Sequence, residues 1–311
     1  MLTIYSSDHR LHHGVELKDG AISDSFENPL RAETVLAQVR ATGLGDVISP
    51  KAYKRADYAG AHSHRYIDFL AGAWHEWIAT GRTCQALPLV WPVRGLPSTG
   101  LPEFIDGKLG FFSMDAGSPI NAGTWGAVCS SANSALTGMD VLSNGARAAF
   151  ALCRPPGHHA GREYMGGYCY LNNAAIAAQH CIDGGAKRVA VLDIDFHHGN
   201  GTQDIFYDRP DVLFISIHGD PAVSYPYFSG HVDERGMGAG EGFNLNIPLP
   251  RGTVWEGFDH ALRHAGTAIG RHVPDALVIS LGGRHVRRRP YQPFPPAHAR
   301  LSARRRGNRK V

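Results

Sequence analysis

Cysteine is scarce in this chain, five residues in 311, and those present form no framework. Cys84, Cys129, Cys153, Cys169 and Cys181 are odd in number and lack the paired spacings of a metal knot. Buried thiols in a reducing cytoplasm are the expectation. Long apolar runs are missing too, since no stretch approaches the roughly 18 residues that a membrane span needs. The start Met1-Leu2-Thr3-Ile4-Tyr5 turns polar at Ser6-Ser7-Asp8, so no secretory signal is expected. Acidic residues are absent from one end: from Gly282 to Val311 there are nine Arg and one Lys and no Asp or Glu. The remainder carries 21 basic against 28 acidic groups, a net charge of −7, so the basic tail needs its own explanation.

Neither an internal repeat nor a linker is visible, and the length fits one large α/β domain. Leu2 to Tyr5 reads as a first strand. Ala32 to Arg40 has helical spacing and stops at Gly43-Leu44-Gly45. Tyr66 to Thr80 predicts a helix with Ile67, Leu70, Ala71 and Trp74 on one stripe. Between Ala86 and Ala122 the periodicity fades into Pro and Gly, with Trp91, Phe104, Phe111 and Phe112. So long an irregular insert reads as a functional loop or an interface. Helix returns from Thr124 to Leu142, and Asn172 or Asn173 caps another that ends at Gly184-Gly185. Strands are predicted at Ala148–Leu152, Lys187–Asp193, Val212–Ile217 and Ala276–Ser280, with a helix from Trp255 to Ala268. Strands alternating with helices imply a parallel sheet covered on both faces, with ligands bound beyond the carboxyl ends of its strands.

The strand Val189-Ala190-Val191-Leu192 runs into Asp193-Ile194-Asp195-Phe196-His197-His198-Gly199-Asn200-Gly201. On an extended segment Asp193, Asp195 and His197 share a face. Carboxylate oxygen with imidazole nitrogen suits Zn²⁺, and Fe²⁺ or Co²⁺ fit the same donors. The plainer alternative is a strand end whose Asp residues cap the next turn and whose His residues are packed. Upstream, His158-His159 follows the rigid turn Pro155-Pro156-Gly157. Adjacent histidines are common on surfaces, but beside a Lewis acid they would move protons to and from a hydrolysed amide.

Arg154-Pro155-Pro156-Gly157-His158-His159-Ala160, Gly166-Gly167-Tyr168-Cys169-Tyr170-Leu171-Asn172-Asn173 and Asp193 to Gly201 resemble, in order and spacing, the motifs of the zinc-dependent histone deacetylase superfamily. Leu152-Cys153, Gly201 to Tyr207 and His218-Gly219-Asp220-Pro221 are similar to its acetylpolyamine amidohydrolase branch. The resemblance runs from residue 1 to Gly282. It implies an arginase/deacetylase-like three-layer α/β fold, a parallel sheet of about eight strands with helices on both faces. It also implies zinc ligation by Asp195 and His197, with His158 and His159 as the base and acid. Asp193, Asp195, His197, Ser216 and Ile217 would surround a structural potassium ion, largely through carbonyls. A second potassium site would fall on Phe206, Arg209, Val212 and Phe243. Gly167 and Tyr168 would line the acyl tunnel. The insert at 86–122 would make a homodimer contact and lend acids to a cationic substrate. Asp106 aligns with one of these acids; Gly117 stands near the place of another, with Asp115 as a substitute.

After Gly282 the likeness breaks. The family supplies a third zinc ligand in Gly-Val-Asp-Thr-Phe; here Arg284 stands where that Asp is expected. A later Gly-Gly-Tyr, whose Tyr donates to the oxyanion, is not reached. Encoding Gly282 to Arg287 as GGC GGT CGA CAC GTT CGA and dropping one G at the first junction restores Gly-Val-Asp-Thr-Phe. Residues 283–311 are therefore read as an out-of-frame tail and 1–282 as the catalytic domain.

The expected function is a cytoplasmic, zinc-dependent amidohydrolase acting on acetylpolyamines or related small acetylated amines, impaired by the missing ligand. A deacetylase of acetyl-lysine in proteins is the alternative enzyme. Arginase-like ureohydrolases share a related plan, but their two-manganese constellation is poorly matched. From another class comes an inactive binding protein whose basic tail contacts nucleic acid, a reading that the codon argument disfavours. No membrane partner is expected.

Overall fold

The computed structural model describes residues 1–18, 20–93, 95 and 100–282. Two compact units divide the chain, Met1–Gly185 and Ala186–Val311. The first runs β1 (Leu2–Ile4), β2 (Val15–Lys18), β3 (Ala21–Asp24), α1 (Pro29–Ala41), β4 (Val47–Ile48), α2 (His64–Ala79), α3 (Ile105–Phe111), α4 (Thr124–Ser143), β5 (Ala149–Ala151) and α5 (Asn173–Asp183). The second runs β6 (Val189–Asp193), α6 (Asn200–Phe206), β7 (Val212–Gly219), β8 (Asn244–Leu249), α7 (Trp255–His272) and β9 (Ala276–Ser280).

In the first unit β1 lies between β4 and β5, both parallel to it, and β2 and β3 form a separate antiparallel hairpin. Helix α4 packs on β1, β5 and α5 and is buried nearly all round, from Thr124 to Met139. A helix without a polar face belongs to the core. Helix α2 is more selective: it buries Tyr66, Ile67, Phe69, Leu70, Ala73 and Trp77. The expected stripe through Ala71 and Trp74 is thus displaced. Phe69 stacks on Phe112 at 4.6 Å, and the Trp77 indole N–H donates to the Cys84 carbonyl at 2.7 Å. These contacts outside the helix set its rotation. The insert is less irregular than expected, since it holds α3, and Ala86 and Ile120 bridge its ends.

In the second unit the order is β8-β7-β6-β9, all parallel. Strand alternation sorts its side chains. Ala190, Leu213, Ile215, Ile217 and Leu249 form one face and pack on Phe258, Ala261 and Ala265 of α7. Burial of such side chains stabilises by about 1.5–3 kcal/mol each. Asp193, Ser216, His218, Asn244 and Asn246 fall on the opposite face, where α6 sends Gln203 to Asn244 and Asn246. The α/β plan of parallel sheets with helices on both sides is the one expected from sequence, its strands divided between the two units.

Candidate active-site motifs and family membership

The motifs fall into two groups, one in each unit. In the first, β5 ends at Ala151 and delivers the Arg154-Pro155-Pro156-Gly157 turn. Arg154 is 3% exposed. Its Nε donates to Glu27 Oε1 at 3.0 Å and its Nη2 to the His12 carbonyl at 3.0 Å, while Nη1 donates to the His9 carbonyl. That guanidinium ties the start of the turn to the N-terminal segment. The Pro155 carbonyl accepts from Ser131 Oγ at 2.8 Å and from Asn173 Nδ2 at 3.2 Å. Gly157 lies against the Leu171–Asn173 backbone, where a Cβ would stand 2.5 Å from the Asn173 nitrogen. Glycine is required there by the close approach. Beyond it His158 and His159 are 9% and 3% exposed, their ring centroids 4.0 Å apart.

The second motif is fastened to the first. Asn172 Nδ2 donates to the Ala160 carbonyl at 2.9 Å, and its Oδ1 accepts from Ala175 N–H at 3.0 Å, so Asn172 is the cap of α5. Buried His62 spans the join. Its Nδ1 donates to the Gly161 carbonyl at 2.8 Å, and its Nε2 accepts from Asn172 N–H at 2.8 Å. Gly167 and Tyr168 form a two-residue turn with both φ positive, 53° and 69°. The Tyr168 hydroxyl donates to Glu16 on β2 at 2.5 Å. Asp115 accepts from Gly167 N–H, so this acid supports the turn. Asp106 faces Arg82, with Nη1 to Oδ2 at 3.0 Å, which offsets its charge.

In the second unit β6 stops at Asp193, yet Ile194 N–H still donates to the Ser280 carbonyl at 3.0 Å and Ile194 packs with Leu192 on the α7 side. Successive side-chain turns follow. Asp193 Oδ1 accepts from Asp195 N–H at 3.0 Å, and Asp195 Oδ1 accepts from His197 N–H at 2.8 Å. Asp193 and Asp195 thus cap the turns that follow the strand, as in the plainer reading. Asp195 Oδ1 and His197 Nδ1 are 3.5 Å apart. A Cβ on Gly282 would lie 1.8 Å from Asp195 Oδ2, so the chain passes directly over this carboxylate just before position 284. Arg284 and the tail 283–311 lie outside the described residues. Among the described residues no three His, Cys, Asp or Glu side chains group as a metal site.

Asp193 is fully buried and stands opposite Ser216 in the β6–β7 register. Burial lowers the pKa of His218, so its neutral ring donates from Nε2 to the Gly230 carbonyl at 2.9 Å. Nδ1 is then an acceptor for the Ser216 hydroxyl at 2.8 Å, which leaves Ser216 Oγ to accept from His198 Nδ1 at 3.3 Å. Ile217 points to the other face, into the α7 core; only its backbone is available to an ion. Of the second set, Phe206, Arg209, Val212 and Phe243, Gly240 approaches Arg209, where a Cβ would stand 2.5 Å from its nitrogen, and the Gly240 carbonyl accepts from Phe243 N–H at 3.0 Å. The Phe206 carbonyl accepts from Arg209 N–H, and the Phe243 carbonyl from Phe214 N–H at 2.9 Å. Each carbonyl retains a second lone pair.

Two residues escaped the sequence reading. Tyr225 packs edge-on against His197 at 5.5 Å, and the aromatic run Tyr225-Pro226-Tyr227-Phe228 was its available signal. Tyr225 and His197 also line a pocket of about 220 Å³ with Phe196, Asp220 and Arg251. Glu16 carried no signal, because the hairpin that holds it has no strong alternation.

A Histone deacetylase domain model matches residues 25–293, and the chain belongs to the histone deacetylase family. Among particular proteins it is 56% identical over 283 residues to Acetylpolyamine amidohydrolase 2 of Pseudomonas aeruginosa, covering 91% of this chain and 82% of that one. It is 46% identical to the Acetylpolyamine amidohydrolase of Mycoplana ramosa, over 91% and 83% of the two chains. The solved acetylpolyamine aminohydrolase of Burkholderia pseudomallei superposes with a TM-score of 0.87 at 40% identity, covering 94% of this chain and 85% of that one.

Proposed function

We propose that the chain is a metal-dependent amidohydrolase that removes acetyl groups from acetylpolyamines or related small acetylated amines. The buried His158–His159 pair, fastened to the Gly167-Tyr168 motif through Gly157 and Asn172, is the observation that carries this reading beyond the likeness to its relatives. Asp195 and His197 would hold Zn²⁺, and Fe²⁺ or Co²⁺ suit the same donors. A bound metal supplies a Lewis acid that polarises the carbonyl and activates water. One histidine takes the proton of the attacking water and the other returns one to the leaving amine. Asp193, Asp195, His197, Ser216 and Ile217 would hold K⁺, with Ser216 Oγ presenting an oxygen whose proton is given to His218. Phe206, Arg209, Val212 and Phe243 would hold a second K⁺ through their carbonyls.

Tyr168 would line the entrance. With Asp106 offset by Arg82, Glu16 is the better placed acid for a substrate ammonium group. Leu89, Val93 and Phe104, 80%, 63% and 60% exposed, are the insert's contribution to a homodimer. Cysteines without a disulfide are in keeping with work in the cytoplasm. The out-of-frame origin of residues 283–311 remains part of the proposal.

Intact mass with the coding DNA tests the tail. Acetate release from an N-acetylated diamine and from an acetyl-lysine peptide, by the 311-residue chain and by a frame-restored version, tests the activity. Hydrolysis of the diamine by the restored enzyme, abolished by chelation and by His159→Ala, is expected. Hydrolysis of the peptide alone would favour the protein deacetylase, and inactivity on both would sink the enzyme reading. The 311-residue chain should be weaker by at least about 10²-fold, as loss of a single electrostatic contributor commonly is. Full activity with one zinc per chain would show that residue 284 is not a needed ligand.

A further inference from the structure

Tyr168 stands in a conformation that its side chain disfavours. Gly166 and Cys169 exchange backbone hydrogen bonds of 3.1 and 2.8 Å around Gly167 and Tyr168, both with positive φ. Two-residue turns of this kind ordinarily carry Gly, Asn or Asp at both central positions. A bulky aromatic at positive φ is an outlier, and it persists only where the surroundings over-determine it. Those surroundings are on either side of the turn.

Before the turn, Met165 N–H donates to the Phe112 carbonyl at 2.8 Å and Met114 N–H to the Met165 carbonyl at 2.9 Å. At the next rung Asp115 supplies an acceptor: its carboxylate accepts from Gly167 N–H at 3.1 Å on Oδ2 and 3.3 Å on Oδ1. The same carboxylate accepts from Gly117 N–H at 2.8 Å, which fixes its own rotamer. Gly166 allows the approach, since a Cβ there would stand 2.2 Å from Met114 Cγ. At the far end Glu16 holds the Tyr168 hydroxyl.

We propose that Asp115 is a positioning residue that clamps the Gly167–Tyr168 turn, and so fixes the Tyr168 ring as a specificity-determining wall for the acetylated amine. This rests on the reading of Tyr168 as part of the entrance. Asp115 acts through the Gly167 amide, with Glu16 as the second anchor. The wall is rigid because both ends of the turn are bound to acids on separate segments.

Hydrogen exchange resolved at the Gly167 amide tests the clamp on the full chain, with the Asn172 amide as internal reference. Asp115→Ala should speed exchange at Gly167 about 10-fold or more, the worth of a hydrogen bond to a charged group, and leave Asn172 unchanged. Asp115→Asn, whose amide oxygen still accepts one bond, should restore part of the protection. Titration with an N-acetylated diamine should show Asp115→Ala raising Kd by about 10-fold, with no further rise when it is added to Tyr168→Ala. Unchanged exchange at Gly167 in Asp115→Ala overturns the clamp. Faster exchange with an unchanged Kd, where Tyr168→Ala raises Kd, overturns positioning. If Tyr168→Ala itself leaves Kd unchanged, the entrance reading fails and takes the specificity role with it, while the exchange result still decides the clamp.

Discussion

Lowering the pH from 7 to 5 asks buried histidines of the first unit to take protons that their sites do not accept. His62 is the clearest. Its Nε2 lone pair receives Asn172 N–H and its Nδ1–H is given to Gly161, so a second ring proton would point at a donor. Burial pushes its pKa down to about 4. Burial together with the nearby Arg154 charge takes His12 down to about 3. The unfolded chain binds these protons near pH 6.5. A depressed folded pKa contributes stability that is present above 6.5 and is lost as pH falls toward the folded value. At pH 5 each histidine should therefore cost about 2 kcal/mol relative to pH 7. Two such losses are a large fraction of a typical stability of about 5–15 kcal/mol. Urea unfolding at both pH values, for wild type and His62→Gln, isolates one of them, because other titrations cancel in the comparison. The variant should lose about 2 kcal/mol less than wild type over this interval. An equal loss in both would refute the assignment, and His12→Asn repeats the test at a second site.

Removing one partner of the buried Arg154–Glu27 pair should be costly: Arg154→Ala is expected to lose about 3–5 kcal/mol in chemical denaturation, with part recovered by adding Glu27→Gln. Gly157→Ala places a methyl against the Asn173 backbone and should destabilise by about 1–3 kcal/mol while displacing the His158–His159 turn, read as lower activity in the frame-restored enzyme. Gly282→Ala presses on Asp195 and should lower zinc stoichiometry, measured by atomic absorption, with little change in far-UV circular dichroism.

The sequence by itself determined the alternation of strands and helices, because apolar β-rich runs and helical spacing are local patterns. Ala276–Ser280 is found as read, and Thr124–Leu142 differs by one residue. It also determined the family, since Arg154 to Ala160, Gly166 to Asn173 and Asp193 to Gly201 are contiguous motifs with fixed spacing. Strand β8 was missed because Asn244-Leu245-Asn246-Ile247-Pro248 buries polar side chains as well as apolar ones, and no pattern announces a buried Asn whose partner is Gln203. Only tertiary structure decided which face α2 buries, because Phe112 lies far along the chain and Cys84 is placed by the turn after the helix. It likewise decided that side-chain turns from Asp193 and Asp195 follow the end of β6. The contacts of the acids were decided in the same way. Asp106, Asp115 and Glu16 are equivalent as letters, but one faces Arg82, one holds a backbone amide and one receives a tyrosine hydroxyl. A carboxylate's use depends on the donor that folding places beside it, and that donor is rarely its neighbour in sequence.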